Sequence, residues 1–119
     1  MAWVDLADGQ SLYVRVIGRG RPVLMLPGLG MSSYQWLPFV LPLSHKFRFY
    51  MPDFRGHGHS RKVTLPHADV FQVHADDTRT VIEHFQLQDY ALVGISLGAT
   101  TAMHLERDGA LSGASRYLH

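Results

Sequence analysis

Ser96 is the side chain of this 119-residue chain that is best placed by its neighbours for covalent chemistry. It stands in the motif GISLG, where an apolar run ends. A chain that turns from strand to helix within two or three residues crowds the corner, and the small residues Gly94, Gly98 and Ala99 relieve that crowding. The serine hydroxyl is then presented beside the first amides of a helix, and the amide of Leu97 can donate to an oxyanion. The pattern therefore predicts a serine that attacks a carbonyl carbon.

The elements that must position this motif alternate between short strands and helices. The alternation of apolar and polar residues around Asp8-Gly9 predicts a hairpin. The pattern predicts strands over 4–6, 11–17, 22–26, 47–51 and 90–93 and helices over about 33–40, 68–85 and 97–107. This order indicates one α/β domain over 1–119, with a mostly parallel sheet of about five strands. Segment 108–119 has no apolar run, so we expect the sheet to end at Val93 and the tail to be divergent or loosely ordered.

Composition and charge exclude several classes of protein. A formal net charge of +1 without a basic cluster is not typical of a nucleic-acid or membrane-surface protein. The chain has no cysteine, which excludes disulfides and thiolate chemistry. The N-terminal stretch carries Asp5 and Asp8 where a signal peptide is basic and then apolar, so we expect a cytoplasmic protein. Neither a metal nor an organic cofactor is predicted.

Three motifs, in this order along the chain, resemble the α/β-hydrolase family. LMLPGLGMSS looks like the loop after strand three of that family, and MPDFRGHGHS matches its Asp-x-x-Gly-x-Gly-x-Ser turn after strand four. HADDTRTVIEHFQLQDYALVGISLGA matches the helix and strand that lead to the nucleophile. The resemblance covers roughly residues 4–107. It implies the N-terminal portion of an α/β-hydrolase fold and hydrolysis of an ester, lactone or related acyl bond in a small molecule.

The resemblance also implies roles for individual residues. Ser96 would be the nucleophile, and the backbone amides of Leu97 and Leu29 would form the oxyanion hole. Gly28 and Gly30 would support the loop that carries Leu29, in which Pro27 stands where many family members have histidine. The side chains predicted to line an apolar substrate pocket are Met31, Tyr34 and Trp36.

The base that a serine nucleophile needs is not identified in this chain. In the family, the acid and the histidine come later in chain order, and no position of this sequence matches them. His104 lies eight residues along the helix from Ser96, about 12 Å at about 1.5 Å per residue, which excludes it. His57 and His59 follow strand four, about 9–10 Å from strand five at about 4.8 Å per strand, which disfavours them as bases. A metal site formed by these two histidines and Asp53 is disfavoured too, because nothing fixes its geometry.

The sequence leaves two other functions open. The first is a non-catalytic hydrolase-like interaction module or fragment, since the acid and base are missing. The second is a dinucleotide-binding oxidoreductase domain, because the stretch GLGMSS follows a strand and Asp53 ends the next strand, where it would bind a ribose. If the sheet ends at Tyr90 to Val93, that strand is an apolar edge, and we expect self-association through it. A second chain could also supply the histidine.

Overall fold

Six strands pair into one sheet within the part of the chain that the structure describes, residues 2–66 and 69–118 of a computed structural model. The strands are β1 (Ala2–Asp5), β2 (Ser11–Gly18), β3 (Arg21–Leu26), β4 (Phe47–Pro52), β5 (Tyr90–Gly94) and β6 (Ala114–Leu118). Their order across the sheet is β1-β2-β4-β3-β5-β6. β1 and β2 form the predicted antiparallel hairpin, β2 pairs antiparallel with β4, and all other neighbours are parallel. The predicted α/β class and mostly parallel sheet are confirmed.

Two long helices follow the predicted pattern. They are α2 (Val70–His84) and α3 (Leu97–Arg107). Asp69 caps α2 by accepting a hydrogen bond from the Phe71 amide at 3.0 Å. The predicted start of this helix at Ala68 lies outside the described residues. No helix in the described ranges combines the length and the apolar character needed to cross a membrane.

The helix predicted between β3 and β4 is broken into three short pieces. A four-residue helix, α1 (Leu37–Val40), lies between the 3₁₀ turns Ser33–Trp36 and Leu41–Leu43. Pro38 and Pro42 lack the amide hydrogen that continues a helix, so each is accommodated in the first residues of a new turn.

Strand β3 is buried on both faces, as its uninterrupted apolar sequence predicts. Leu24 and Leu26 pack in the cluster that includes Ala102 and Leu105 of α3. The alternate residues, Val23 and Met25, pack in a second cluster with Trp36 and Val40. The carboxyl end of β3 is therefore held between helical layers, next to the end of β5.

The segment after α3 corrects two predictions. Ala114–Leu118 forms β6 and pairs parallel with β5, although its sequence is not an apolar run. Leu111 is 3% exposed and belongs to the main core, and Ala110 and Ala114 pack against that core. Strand β5 lies between β3 and β6, so the predicted self-association through an exposed Tyr90 to Val93 edge loses its basis. The pairing supplies backbone partners to β5, which local propensity does not reveal.

Candidate active site

Ser96 lies at the junction of β5 and α3 in a strained backbone conformation. Its φ of 55° and ψ of −111° are values that residues with a side chain rarely adopt. Such a conformation costs about 1–3 kcal/mol and persists only where the surroundings hold it. The Ile95 amide donates to the Leu26 carbonyl at 3.2 Å, and the Gly98 amide donates to the Ile95 carbonyl at 2.8 Å. These bonds hold the corner on either side of an exposed serine.

The glycines of the motif are required by contacts between backbones. A Cβ atom on Gly94 would lie 2.9 Å from the carbonyl oxygen of Gly98. A Cβ atom on Gly98 would lie 2.6 Å from the carbonyl carbon of Leu26. Real Cβ contacts are essentially never this short. Because the opposing atoms are backbone, α3 can start this close to β3 and β5 only with glycine at both positions.

The loop after β3 lies against the serine. A Cβ atom on Gly28 would be 3.5 Å from Ser96 Cβ, which is ordinary van der Waals contact. Gly30 has a φ of 76° in the tight turn that follows, which is closed by the Met31 amide donating to the Gly28 carbonyl at 3.1 Å. In the described part of the chain, neither the Leu29 amide nor the Leu97 amide has a hydrogen-bond acceptor. Two amides without acceptors are therefore found in the segments that adjoin at Ser96, one in the loop after β3 and one at the start of α3.

A cavity of about 470 Å³ opens beside Ser96. This volume lies within the range of about 300–1,000 Å³ that is typical of small-molecule sites. Its walls are mostly apolar, with four residues that carry strongly polar groups in addition to the serine. The lining comprises Leu29, Leu65, Val70, Phe71 and Leu97 as apolar residues, and Arg55, His57, His74, Ser96 and Thr100 as polar ones.

The three residues predicted to line this pocket lie elsewhere. Trp36 is 5% exposed and packs in the cluster under β3 and β4, and Met31 packs against the same cluster. Tyr34 is exposed and lies on a separate surface depression with Leu37 and Leu41. The short turns after Ser32 direct these side chains towards the sheet or the solvent, so none of the three lines this cavity.

Asp53 braces the loop after β4 and is not available to a ligand. Its side chain is fully buried and accepts hydrogen bonds from the Ser33 amide and, at 3.1 Å, from the His59 amide. A ribose or a metal ion at Asp53 would have to displace these bonds, which argues against the dinucleotide-binding hypothesis. Among the described residues, no group of three or more His, Asp or Glu side chains is arranged to hold a metal ion.

The guanidinium of Arg55 is buried and paired with two carboxylates. It donates to both oxygens of Asp77 at 2.7 and 3.0 Å, and to Asp8 at 2.6 Å. Its Nη1 atom also donates to the Thr64 carbonyl at 2.9 Å. The hydrogen bond from Arg55 lowers the pKa of Asp8 to about 2, despite partial burial. Arg55 therefore ties β1–β2, the loop after β4 and α2 together, and its charge is neutralised.

His57 and His59 diverge although they are two residues apart. His57 lines the cavity, and its Nδ1 atom lies 3.0 Å from the carbonyl oxygen of Arg55. The His59 ring instead stacks on Tyr13 with centroids 4.3 Å apart, and its side chain is 54% exposed. The turn at Gly58, which has a φ of 51°, separates the two directions.

His74 forms a neutral part of the cavity wall. It is 2% exposed and stacks on Phe54 with centroids 4.5 Å apart. Burial lowers the pKa of His74 to about 4, and the neighbouring His57 and Arg55 add to this effect. Its Nδ1 atom has no hydrogen-bond partner among the described residues. The imidazole is therefore uncharged near neutral pH.

The stability of the chain should depend on this histidine. Because the pKa is about 4 when folded against an ordinary 6.5, the unfolded chain binds more protons between these pH values. The contribution of the neutral His74 ring to stability is complete above pH 6.5 and is lost as the pH falls towards 4. We expect His74 to lower the free energy of unfolding by about 2–3 kcal/mol over this interval. Urea unfolding of the wild type and His74→Phe between pH 7 and 4.5 would test this.

The substitution His74→Phe keeps an aromatic ring against Phe54 and is expected to flatten the pH dependence. His59→Phe is the matched control, since that ring is half exposed, and its profile should follow that of the wild type. Equal slopes for the wild type and His74→Phe would contradict the assignment. The paired carboxyl of Asp8 does not interfere, because its own contribution is lost only below about pH 4.

Sequence reasoning missed most of the cavity wall. Val70 and Phe71 begin α2, are 41% and 43% exposed, and line the cavity. One signal was present, because these two apolar residues precede the stripe formed by Val73 and Val81. Nothing in the sequence pattern indicates that Leu65 and Thr100 come together at this cavity.

The arrangement of parallel sheet, corner serine and adjoining loop defines a protein of the α/β-hydrolase class. A family model described as the alpha/beta hydrolase fold matches residues 21–106, and the chain belongs to this family. The non-heme haloperoxidase of Rhodococcus erythropolis is 33% identical over 112 residues, which are 92% of this chain and 40% of that protein.

Solved structures agree on the fold. An esterase from Exiguobacterium antarcticum superposes with a TM-score of 0.87 at 28% identity, over 98% of this chain and 43% of that one. Est816, described as an N-acyl homoserine lactone degrading enzyme, superposes with a TM-score of 0.80 at 27% identity, over 98% of this chain and 42% of that one. The chain thus spans about 40% of the length of these relatives.

Proposed function

We propose that this chain carries the nucleophile of a serine hydrolase that cleaves an ester, lactone or related acyl bond. The observation that carries the proposal is the strained, exposed Ser96 at the mouth of a mostly apolar cavity. Oγ would attack the carbonyl carbon while its proton passes to a base. Collapse of the tetrahedral intermediate would expel the alcohol with that proton and leave Ser96 acylated, and water would then release the acid.

The amides of Leu29 and Leu97 are proposed as the oxyanion hole. Neither has an acceptor in the described part of the chain, and both residues line the cavity with Ser96. The Leu97 amide also opens α3, so the partial positive charge of the helix N-terminus would favour the oxyanion. Fixed donors of this kind are worth about 2.7–4 kcal/mol each to acyl transfer.

The general base and its acid partner are proposed to lie outside residues 1–119. In the family, both follow later in the chain, and this chain spans about 40% of the relatives it matches. A further segment of a longer protein or a second chain would supply them. The alternative is a non-catalytic hydrolase-like module, in which the corner at Ser96 has only a structural role.

The substrate class rests on the cavity and on the relatives. The mostly apolar wall of the cavity suits an acyl or alkyl group. One structural relative is an esterase and another is described as an N-acyl homoserine lactone degrading enzyme, and an ester and a lactone are both oxygen esters.

Labelling with a fluorophosphonate tests the proposal directly. Ser96 Oγ displaces fluoride from phosphorus, and the adduct is located by peptide mass spectrometry. Because an oxyanion hole retains residual activity when a member of the triad is missing, we expect slow modification at Ser96 in the wild type, none in Ser96→Ala, and an unchanged rate in Ser112→Ala, which removes an exposed serine. A chain that is folded by circular dichroism but is not modified would favour the non-catalytic alternative.

A further inference from the structure

Two imidazoles, those of His57 and His74, contribute to the described wall of the Ser96 cavity, and we call this part the imidazole wall. We propose that this imidazole wall is a hydrogen-bonding subsite, in which His57 Nε2 accepts from an uncharged hydroxyl or amide N–H of the substrate. The inference rests on the proposed function and specifies its substrate class. The substrate would be an acyl compound with an apolar chain that carries one such donor.

The protonation of His57 follows from its hydrogen bond. A carbonyl oxygen can only accept, so the 3.0 Å contact with the Arg55 carbonyl requires the hydrogen to be on Nδ1. In the neutral ring, Nε2 is then an acceptor. No described group donates to this nitrogen, although the ring is half-buried in the cavity wall. A partly buried acceptor beside a ligand cavity is suited to receive a donor from the ligand.

The loop holds this acceptor in a fixed position. The His57 amide donates to the Phe54 carbonyl at 2.9 Å, and the Ser60 amide donates to the His57 carbonyl at 2.8 Å. Arg55, whose carbonyl accepts from the ring, is itself anchored by Asp8 and Asp77. The backbone and ring of His57 are therefore ordered before a ligand binds, which reduces the entropic cost of binding.

The cavity wall offers no unpaired charge to a ligand, which favours an uncharged group at this position. Arg55 lines the cavity, but its guanidinium donates to Asp77, Asp8 and the Thr64 carbonyl, so it offers no free charge to a carboxylate or phosphate. The low pKa of His74, about 4, keeps the second imidazole neutral. The remaining walls are apolar and would oppose burial of a charged group. A hydroxyl or an amide meets these conditions.

Two fluorophosphonates of equal length provide the test, one with a plain alkyl chain and one with a secondary amide in the chain. The rate constant for labelling Ser96 is measured for each, and the ratio of amide to alkyl probe is compared between variants. A hydrogen bond between neutral groups contributes about 0.5–1.5 kcal/mol, so His57→Phe should lower this ratio roughly 2- to 10-fold. His57→Gln, which retains an acceptor, should restore part of it.

His59→Phe is the matched control, because that ring belongs to the same loop but stacks on Tyr13 away from the cavity. Its ratio should equal that of the wild type. A ratio unchanged by His57→Phe would overturn the subsite, as would an equal loss of rate with both probes, which would indicate an effect on Ser96 itself. Absence of labelling with either probe would instead count against the proposed function.

A second measurement does not need a reactive serine. In Ser96→Ala, hexanamide is added to the ¹⁵N-labelled chain, and the His57 Nε2 resonance is followed by NMR. We expect the resonance to shift upfield as the nitrogen accepts the amide hydrogen, with a smaller change on addition of methyl pentanoate, which has no donor. An identical response to the two compounds, or none to hexanamide at millimolar concentration, would overturn the subsite.

Discussion

Replacing Gly98 with alanine is expected to lower the free energy of unfolding by about 3 kcal/mol, which is at the upper end of the usual cost of overpacking. The added Cβ atom would lie 2.6 Å from the Leu26 carbonyl carbon, and 2.9 Å from the Leu26 side chain. The opposing atoms include backbone of the central strand β3, so no rotamer change relieves the overlap. Urea unfolding followed by circular dichroism measures the loss.

Gly28→Ala is the matched control for this substitution. Gly28 lies in the loop beside the same corner, but its Cβ would meet its neighbours at 3.5 Å or more, and its φ is not positive. We expect a change within about 1 kcal/mol, typical of a substitution that fits its site. Equal losses for the two variants would show that the proximity of α3 to β3 does not limit residue size.

Replacing Arg55 with methionine is the second change with a large expected effect. The variant leaves Asp77 buried at 6% exposure without its bidentate partner, and it removes the link from Asp8 to α2. Breaking a buried ion pair by removing one partner costs about 3–5 kcal/mol, because the remaining charge is uncompensated. We therefore expect a loss of this size in urea unfolding at pH 7.

Arg79→Met controls for the loss of an arginine as such. The pair of Arg79 and Asp76 is half exposed at 3.5 Å on α2, and such surface pairs contribute about 0–1 kcal/mol. Adding Asp77→Leu to Arg55→Met should recover part of the stability, because it removes the uncompensated carboxylate. If Arg55→Met is no less stable than Arg79→Met, the network does not hold the loop after β4 in place.

The two large effects concern two segments that line the same cavity. Gly98 allows α3 to begin against the end of β3, which presents Ser96. Arg55 fixes the loop that carries His57 into the cavity. The chain thus uses a close backbone contact for the corner that carries Ser96 and a buried ion network for the loop that carries His57.

Local sequence was sufficient for the elements and for the corner at Ser96. The hairpin, the strands up to β5 and the helices α2 and α3 follow from short-range alternation and from glycine and proline, which act on neighbouring residues. The spacing of Gly94, Gly98 and Ala99 around Ser96 likewise reflects steric conditions within a few residues. These conditions are present in the sequence before any long-range contact forms.

Long-range packing determined the rest, because it joins residues with no local relation. β6 exists through its pairing with β5, and the cavity joins the loop around His57 to the first turn of α2 and to α3. The His57 ring is oriented by the backbone carbonyl of Arg55. The side chain of Arg55 in turn binds Asp8 in the first hairpin and Asp77 in α2. Contacts between residues that are far apart in sequence leave no periodic pattern. The residues that line the cavity could therefore be identified only from the tertiary structure.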